Sequence, residues 1–408
     1  MNTLPSDNRL SSNKPRPGTE LAARLTDPEL YSNDPYPLYK RLRAEAPMAW
    51  NEERGFWAVS RHADVVTAES DAQTYCASRG ILVEEIGVNY ESPPTILHTD
   101  PPAHTRYRRL VQPGFRPTVT RALEPIVRAR ATRLIDQIEP GKPVDIVQAL
   151  SVPFPLLVIS EILGVGEADW RRCYEWSGAV IPGATDWPQE RRDQLMGEMV
   201  MFLLNATKKR RSNPTDDVLS ELANVTIDGD NLTDDELAMF LVQLLVAGNE
   251  TTRNMLSAGL VALADAPEQW ERLRTDSDVM KTATEELLRF TSPVIYFMRT
   301  ATRDAVLGGQ EIKSVEPLVL LFASADRDEE VFGQNSEELD VGRDPNPHVA
   351  FGFGNHFCLG ATLARLEGRV VLEELSSRFS SIERAGVVER SPSPVIAGTR
   401  RAELCFRS

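Results

Sequence analysis

The residues best suited to chemistry form one loop, Phe351-Gly352-Phe353-Gly354-Asn355-His356-Phe357-Cys358-Leu359-Gly360. A single cysteine, Cys358, stands near its end among Gly352, Gly354 and Gly360. No second cysteine is close enough in sequence to pair with it or to share a metal. Glycine permits positive φ and close backbone approach, so such a loop can wrap a sulfur and aim N–H groups at it. The segment that follows, Ala361 to Glu367, reads as a helix start. A helix N-terminus favours negative charge, and so a thiolate. One thiolate held in this way suits axial ligation of a haem iron. The competing reading is a buried structural cysteine in a glycine-rich turn, which is what free cysteine usually is. The rest of the chain decides between them.

A second group is Ala247-Gly248-Asn249-Glu250-Thr251. It sits inside a long apolar helix that opens with the capping box Thr233-Asp234-Asp235-Glu236. Phe240, Leu244, Ala247, Gly248, Thr251 and Met255 share one face, which narrows in the middle and then shows a hydroxyl. Glycine inside a helix costs roughly 1 kcal/mol against alanine, so either close helix packing or a bound group needs the space. Oxygen activation needs protons. A carboxylate such as Glu250 can relay them from solvent, and a hydroxyl such as Thr251 can order the water that delivers them. Thr252 reads as structural.

Four further groups, His104, Arg108, Arg299 and His356, come from three separate segments. His104 and Arg108 are four apart and share a helix face. Singly each is an ordinary residue. Together they match what two buried cofactor carboxylates require, namely hydrogen-bonding cations. Glu286 and Arg289 stand at i,i+3 on one helix, a spacing that allows an ion pair. With Arg327, Asp328 and Arg343 downstream they can brace the meander that leads into the Cys358 loop.

The elements that must position these groups are mostly helices. Capped or periodic helical patterns cover Asp34–Leu42, Ala63–Ser70, Pro101–Leu110, Leu123–Ile138, Val144–Leu163, Trp170–Ile181, Gln189–Lys208, Thr233–Ala264, Pro267–Arg274, Val279–Phe290 and Ala361–Phe379. Met48–Trp50 and Phe56–Val59 read as a hairpin. Short strands are predicted at Val306–Gly309, Glu311–Lys313 and Pro317–Phe322, and a tail of turns and short strands from Ser380. Cys76–Leu97 reads as a long loop, a length that suits a binding loop. Residues 1–20 read as a disordered leader and 21–408 as one domain.

Across 408 residues, 41% hydrophobic and 26% charged, the composition is that of an ordinary globular protein. A net charge of -15 argues against nucleic acid and anionic membranes as main partners. Four scattered cysteines (Cys76, Cys173, Cys358, Cys405) indicate neither zinc site nor disulfide framework. No signal peptide and no membrane span is read, and a cytoplasmic location is expected. Arg106, Arg109 and Arg116 lie near His104 and form a possible basic patch for an acidic electron donor. Lys208–Arg211 reads as a solvated helix end.

Taken together the motifs resemble the cytochrome P450 family. The loop fits Phe-x-x-Gly-x-His-x-Cys-x-Gly from Phe351 to Gly360, Ala247–Thr251 fits Ala/Gly-Gly-x-Asp/Glu-Thr, and Glu286–Arg289 fits Glu-x-x-Arg. The resemblance implies a mainly α fold with a small β region, the triangular prism of that family, binding haem b. It implies Cys358 as the iron ligand and Thr251 with Glu250 in oxygen activation. His104, Arg108, Arg299 and His356 would hold the propionates, with Ala247, Gly248, Phe351, Gly352 and Gly360 also against the cofactor. Glu286, Arg289 and Arg343 would brace the meander. One departure is Asp326, where relatives often carry Asn, and it puts local bracing in question.

The implied activity is a haem-thiolate monooxygenase that inserts one atom of O2 into an apolar small molecule of the steroid, terpenoid or lipid class. Electrons would come from a separate ferredoxin and ferredoxin reductase. The family layout places Ile81, Leu82, Val83, Val180, Leu244, Val294, Ile295, Phe297 and Ile396 at the substrate pocket, with Glu84 and Glu85 toward solvent. A peroxide-driven or oxidative-coupling enzyme would share the cysteine loop, but the Glu250-Thr251 pair argues against the peroxide route. A non-catalytic haem or lipid carrier would need no such pair.

Overall fold

A computed structural model describes residues 15–88, 95–164, 170–180, 185, 187–215 and 217–408. Helices dominate, and one organises the rest. It runs from Asp234 to Asp265, 32 residues through the middle of the molecule. Its capping box forms as the sequence requires. The Glu236 amide donates to Thr233 Oγ1 at 3.1 Å, and the Thr233 amide donates to Glu236 Oε2 at 2.8 Å. Apolar side chains on it, among them Leu237, Leu241, Leu245, Met255 and Leu260, join the largest core cluster. Helices Pro153–Ile162, Met280–Thr291 and Ala361–Arg378 contribute to the same cluster.

In chain order the strands are β1 (Met48–Asn51), β2 (Phe56–Val59), β3 (Tyr75–Cys76), β4 (Pro143–Asp145), β5 (Tyr296–Ala301), β6 (Ala305–Leu307), β7 (Gln310–Ile312), β8 (Pro317–Leu321), β9 (Ser381–Arg390) and β10 (Thr399–Arg407). They form a five-stranded sheet ordered β1-β2-β8-β5-β3, a three-stranded sheet β4-β10-β9 and the hairpin β6-β7. The predicted hairpin is there, with Trp50 opposite Trp57. The large sheet carries Arg299 on β5, so a strand from the C-terminal half delivers one of the expected cations.

Several expectations needed correction. The stretch Val144–Leu163 is not one helix. It divides into β4, a π-helical turn at Val147–Ser151 and the helix Pro153–Ile162, since Pro153 and Pro155 suit only a first turn. The tail is two long strands, β9 and β10, paired antiparallel rather than short pieces. Within the supposed leader, residues 16–20 are part of the structured chain. The Trp50 amide donates to the Pro17 carbonyl at 2.9 Å, Arg16 stacks 3.6 Å over the Trp50 ring, and a helix begins at Thr19. Residues 1–14 lie outside the described residues, as do Ile181 and the expected Pro182-Gly183 break.

Candidate functional site

The cysteine loop is shaped by its glycines. Gly352 and Gly354 have φ of 69° and 64°, in the left-handed region that favours glycine. A Cβ on Gly354 would stand 2.6 Å from the carbonyl oxygen of Glu69, so the loop lies directly on the helix His62–Ser70. The Cys358 amide donates to the Phe351 carbonyl at 2.9 Å, which closes the loop on itself. Burial pushes the Cys358 thiol up, while the Gly360 amide and the charges of Arg108 and Arg365 favour the thiolate. Arg365 also stacks 4.7 Å over Phe351 and is held by Glu285 at 2.6 and 2.8 Å. Against its burial, hydrogen bonds from His348 and Arg365 hold the Glu285 carboxyl down at about 2.

The four groups expected to hold carboxylates do converge. The rings of His104 and His356 lie 4.4 Å apart. Burial, then the nearby charges of Arg299, His104 and Arg108, push His356 down to about 2. Burial and Arg108 lower His104 as well. Both histidines are thus pushed toward the neutral form in the protein alone, and the two arginines are its charged groups here. Arg108 reaches the Phe357 carbonyl at 2.6 Å and has no carboxylate partner among the described residues. His356 Nε2 is buried without a hydrogen-bond partner. An orphaned buried nitrogen beside an unneutralised guanidinium is costly unless an acidic group comes to both. The residues present thus fit a haem whose carboxylates enter here.

The brace behind the loop is closed on every side. Arg289 makes a two-point contact to Glu286, at 2.7 Å on both oxygens. Arg343 Nε adds a third contact to Glu286 Oε2 at 3.1 Å, and Asn346 and the Asp340 amide add two more at 3.1 and 2.9 Å. Arg289 also donates to the carbonyls of Asp326, Ser336 and Glu338. Glu286 and Arg289 are each 0% exposed. The doubt over Asp326 resolves in the same network. Its carboxylate accepts from the Val349 amide at 2.7 Å and from Ser292 Oγ at 3.1 Å. Arg327 pairs with Glu337 at 3.1 Å, and Asp328 caps the short helix Glu329–Phe332.

On the long helix, Leu244, Ala247, Gly248 and Thr251 form a stripe left open by the protein, whereas Leu241, Leu245, Asn249, Glu250 and Thr252 around them are buried. A partly open stripe beside buried neighbours in the middle of a helix suits a flat cofactor and its ligands. A Cβ on Gly248 would approach Ile159 Cδ1 at 3.3 Å, so close helix packing accounts for part of this glycine. Thr251 and Glu250 are adjacent but not bonded to each other. Thr251 Oγ1 donates back to the Ala247 carbonyl at 2.7 Å. Glu250, 2% exposed, pairs with Arg253 one turn on, at 2.9 Å, and lies 3.4 Å from Ser177 Oγ. Burial pushes its carboxyl up, opposed by Arg253 and Ser177.

The expected pocket residues separate into two kinds. Leu82, Val180, Leu244, Val294, Phe297 and Ile396 are half-buried and keep surface for a ligand. Ile81, Val83 and Ile295 are core instead, at 5%, 6% and 2% exposure. Ile295 packs with Leu38, Tyr39 and Leu42 and borders a separate cavity of about 780 Å³ on that side. Extended backbone sends neighbouring side chains to opposite faces, so Val294 and Ile295 cannot line the same space. Nor does Glu85 face solvent. It accepts from the amides of Ile81 and Leu82 at 2.6 and 3.1 Å and meets His98 Nε2 at 3.1 Å.

The basic patch does not survive either. Arg106 is neutralised by Asp230 and Glu236, both at 2.8 Å, Arg109 by Asp228 at 2.9 Å, and Arg116 faces Glu221 at 4.0 Å. In the run Lys208–Arg211, Arg210 and Arg211 tie down Asp217 and Asp234, both at 2.7 Å.

Three acidic residues were missed. Glu69 pairs with Arg299 at 2.8 Å beside the cysteine loop. Glu367 is fully enclosed, accepts only from Thr252 Oγ1 at 3.2 Å, and burial pushes its carboxyl up to about 8. Asp230 disarms the patch. A usable signal existed for Glu69, which shares the core face of its helix with Val65 and Ala68.

The profile of the cytochrome P450 family matches residues 187–406. Linalool 8-monooxygenase of Pseudomonas putida is 36% identical over 399 residues, covering 93% of this chain and 98% of that one. Steroid C26-monooxygenase of Mycolicibacterium smegmatis is 34% identical over 383 residues, covering 90% and 89%. The structure of a Mycobacterium marinum cytochrome P450 in complex with pseudoionone superposes with a TM-score of 0.87 at 33% identity, covering 97% of this chain and all of that one. Among the described residues no helix is long and apolar enough to cross a membrane. The triangular-prism fold, the haem-ready cysteine loop and these likenesses agree: the chain belongs to the cytochrome P450 family, and it is a haem b monooxygenase.

Proposed function

We propose that Cys358 is the iron ligand and that the enzyme hydroxylates an apolar small molecule of the terpenoid or steroid class. The observation that carries the site is the convergence of His104, Arg108, Arg299 and His356 beside the Cys358 loop, with a buried nitrogen and a guanidinium lacking an acidic partner. Haem b, when bound, supplies the iron at which O2 is reduced and one of its atoms is inserted into a C–H bond. The protein's own part is to bind, orient and deliver protons. Arg108 and Arg299 meet the haem carboxylates as charges, and His104 and His356 meet them as hydrogen-bond donors. The Gly360 amide, with Arg108 and Arg365, steadies the sulfur as thiolate.

On the distal face, Glu250 is a buried acid paired with Arg253 and accepting from Ser177 Oγ on the helix Trp170–Val180, and it takes up a proton when that pair opens. Release from Arg253 lets it pass that proton toward the Thr251 hydroxyl, which stands on the open stripe. Apolar surface from Leu82, Val180, Leu244, Val294, Phe297 and Ile396 excludes water from the same space. That lining, with relatives named for linalool and a steroid, supports the substrate class. Electrons arrive from a separate ferredoxin and its reductase.

The reduced protein with carbon monoxide gives the thiolate-shifted Soret band, and Cys358→Ser loses it. An unchanged band in that variant refutes the ligand assignment. Titration with linalool, pseudoionone and a steroid, read by the haem spin-state shift, tests the class. No shift with any of them excludes it.

A further inference from the structure

We propose that Glu69 is a positioning residue for the haem, one that holds Arg299 and the cysteine loop together and makes the site more negative by one charge. It rests on the reading that Arg299 meets a haem carboxylate. Glu69 belongs to the helix His62–Ser70, which carries none of the family's motifs, and it is 5% exposed. Its carboxylate meets Arg299 Nη2 at 2.8 Å. Arg299, itself 3% exposed, spends Nη1 on the Met298 carbonyl at 2.9 Å. Gly352 of the cysteine loop lies against the same carboxylate, since a Cβ there would stand 4.0 Å from Oε2. The loop is pressed against this turn of helix, because a Cβ on Gly354 would meet the Glu69 carbonyl oxygen at 2.6 Å. One acid therefore touches both a strand that holds the cofactor's edge and the loop that holds its iron.

The charge count gives this contact a consequence. Arg299 is met by Glu69 and Arg108 by the Phe357 carbonyl, and these two guanidinium groups are the cations placed to face the haem carboxylates. Two guanidinium groups would balance two haem carboxylates. Glu69 adds a third carboxylate, a negative charge that the site would not carry without it. A buried negative charge disfavours adding an electron nearby, so Glu69 holds the iron's reduction potential down. A buried acid is expensive to keep. Burial pushes the Glu69 carboxyl up, and the charge of Arg299 opposes that only while the pair stays together, so the acid also fixes the place of the guanidinium.

The test uses the haem-loaded enzyme and two variants. Glu69→Gln keeps the shape and removes the charge, and Glu69→Asp keeps the charge and withdraws it by one methylene. Spectroelectrochemical titration reads the potential, and transfer to excess apomyoglobin reads haem retention. The expected result is a more positive potential in Glu69→Gln, with little change in potential but about tenfold faster haem loss in Glu69→Asp, the size of one charged hydrogen bond. A wild-type potential in a haem-replete Glu69→Gln overturns the proposal. If Glu69→Gln takes up no haem, unaltered haem retention in Glu69→Asp overturns it instead. Absence of the thiolate Soret band in the wild-type protein would sink the haem-site reading, a distinct failure.

Discussion

Two buried glutamates in this chain each stand three residues before an arginine on the same helix: Glu286 before Arg289, and Glu250 before Arg253. The spacing, the residue types and the burial match, yet their surroundings do not. Glu286 has a second arginine, an asparagine and a backbone amide on it, and its arginine is spread over three further carbonyls. Glu250 has Arg253, a serine hydroxyl and the Asn249 amide at 3.4 Å, and among the described residues no second cation. Among the described residues Asn249 Oδ1 beside it has no hydrogen-bond partner. The first pair cannot let go without stranding several buried groups. The second can. One motif therefore yields a many-point brace in one place and an acid with fewer ties in the other, and the neighbours decide which.

Removing the glutamates or their partners separates the two. Glu286→Ala strands Arg289 and Arg343 in the core and should cost ~3–5 kcal/mol. Urea denaturation and haem content of the purified protein measure this, and a cost under ~1 kcal/mol would erase the distinction. Arg253→Met should cost less, ~1–3 kcal/mol, and the deficit should widen with pH. Burial already raises the Glu250 carboxyl above its ordinary value. A group shifted that way contributes fully below its unfolded value and loses the contribution as pH rises through its folded value, and without Arg253 the ionised form has no counter-charge. Melting curves at pH 5 and pH 8 test the trend.

Glu367 sharpens the comparison from the side of an acid with no arginine at all. Its carboxyl lies at about 8 in the folded chain against an ordinary value of 4.5. It therefore stabilises most below about 4.5 and progressively less up to about 8, so Glu367→Gln should raise stability by under ~1 kcal/mol at pH 5 and by up to ~4 kcal/mol at pH 8. An equal effect at both pH values would show that the carboxyl is ionised throughout. The smallest change in stability belongs to Thr251→Ala, under ~1 kcal/mol, because only the bond to the Ala247 carbonyl is lost. Haem content should be intact, and the loss should appear as reducing equivalents released as hydrogen peroxide. Fully coupled turnover in that variant would remove Thr251 from proton delivery.

What could be read in advance was what is local. The cysteine loop, the capping box and Glu286–Arg289 each lie within about one or two helical turns of sequence, where spacing alone sets geometry. Arg253 obeyed the same Glu-x-x-Arg spacing and was still overlooked, because its neighbour Thr251 drew the chemical reading. Glu69 needed Arg299, 230 residues away in numbering, to show its meaning. The arginine patch failed for the same reason, since Asp228 and Asp230 come from a distant turn. Strand β9 is exposed along most of its length, so it lacks the apolar alternation that marks a half-buried strand, and its pairing with β10 alone defines it. Ile295 was misplaced because a strand's alternation is fixed only once its register is known.

That alternation has a consequence for evolving new specificities. Val294 bridges Ile396, the Ile295 amide donates to the Val395 carbonyl at 2.8 Å, and the Ala397 amide donates to the Pro293 carbonyl at 2.9 Å. Two segments a hundred residues apart thus behave as one ribbon, with Val294 and Ile396 on its front and Ile295 and Ala397 against the cavity behind. A library that randomises only the front will meet ruggedness it cannot explain, since each front substitution shifts a shared backbone. Enlarging or trimming Ile295 and Ala397 instead would slide the ribbon without touching the ligand's contacts, a quiet route by which selection can retune the same enzyme.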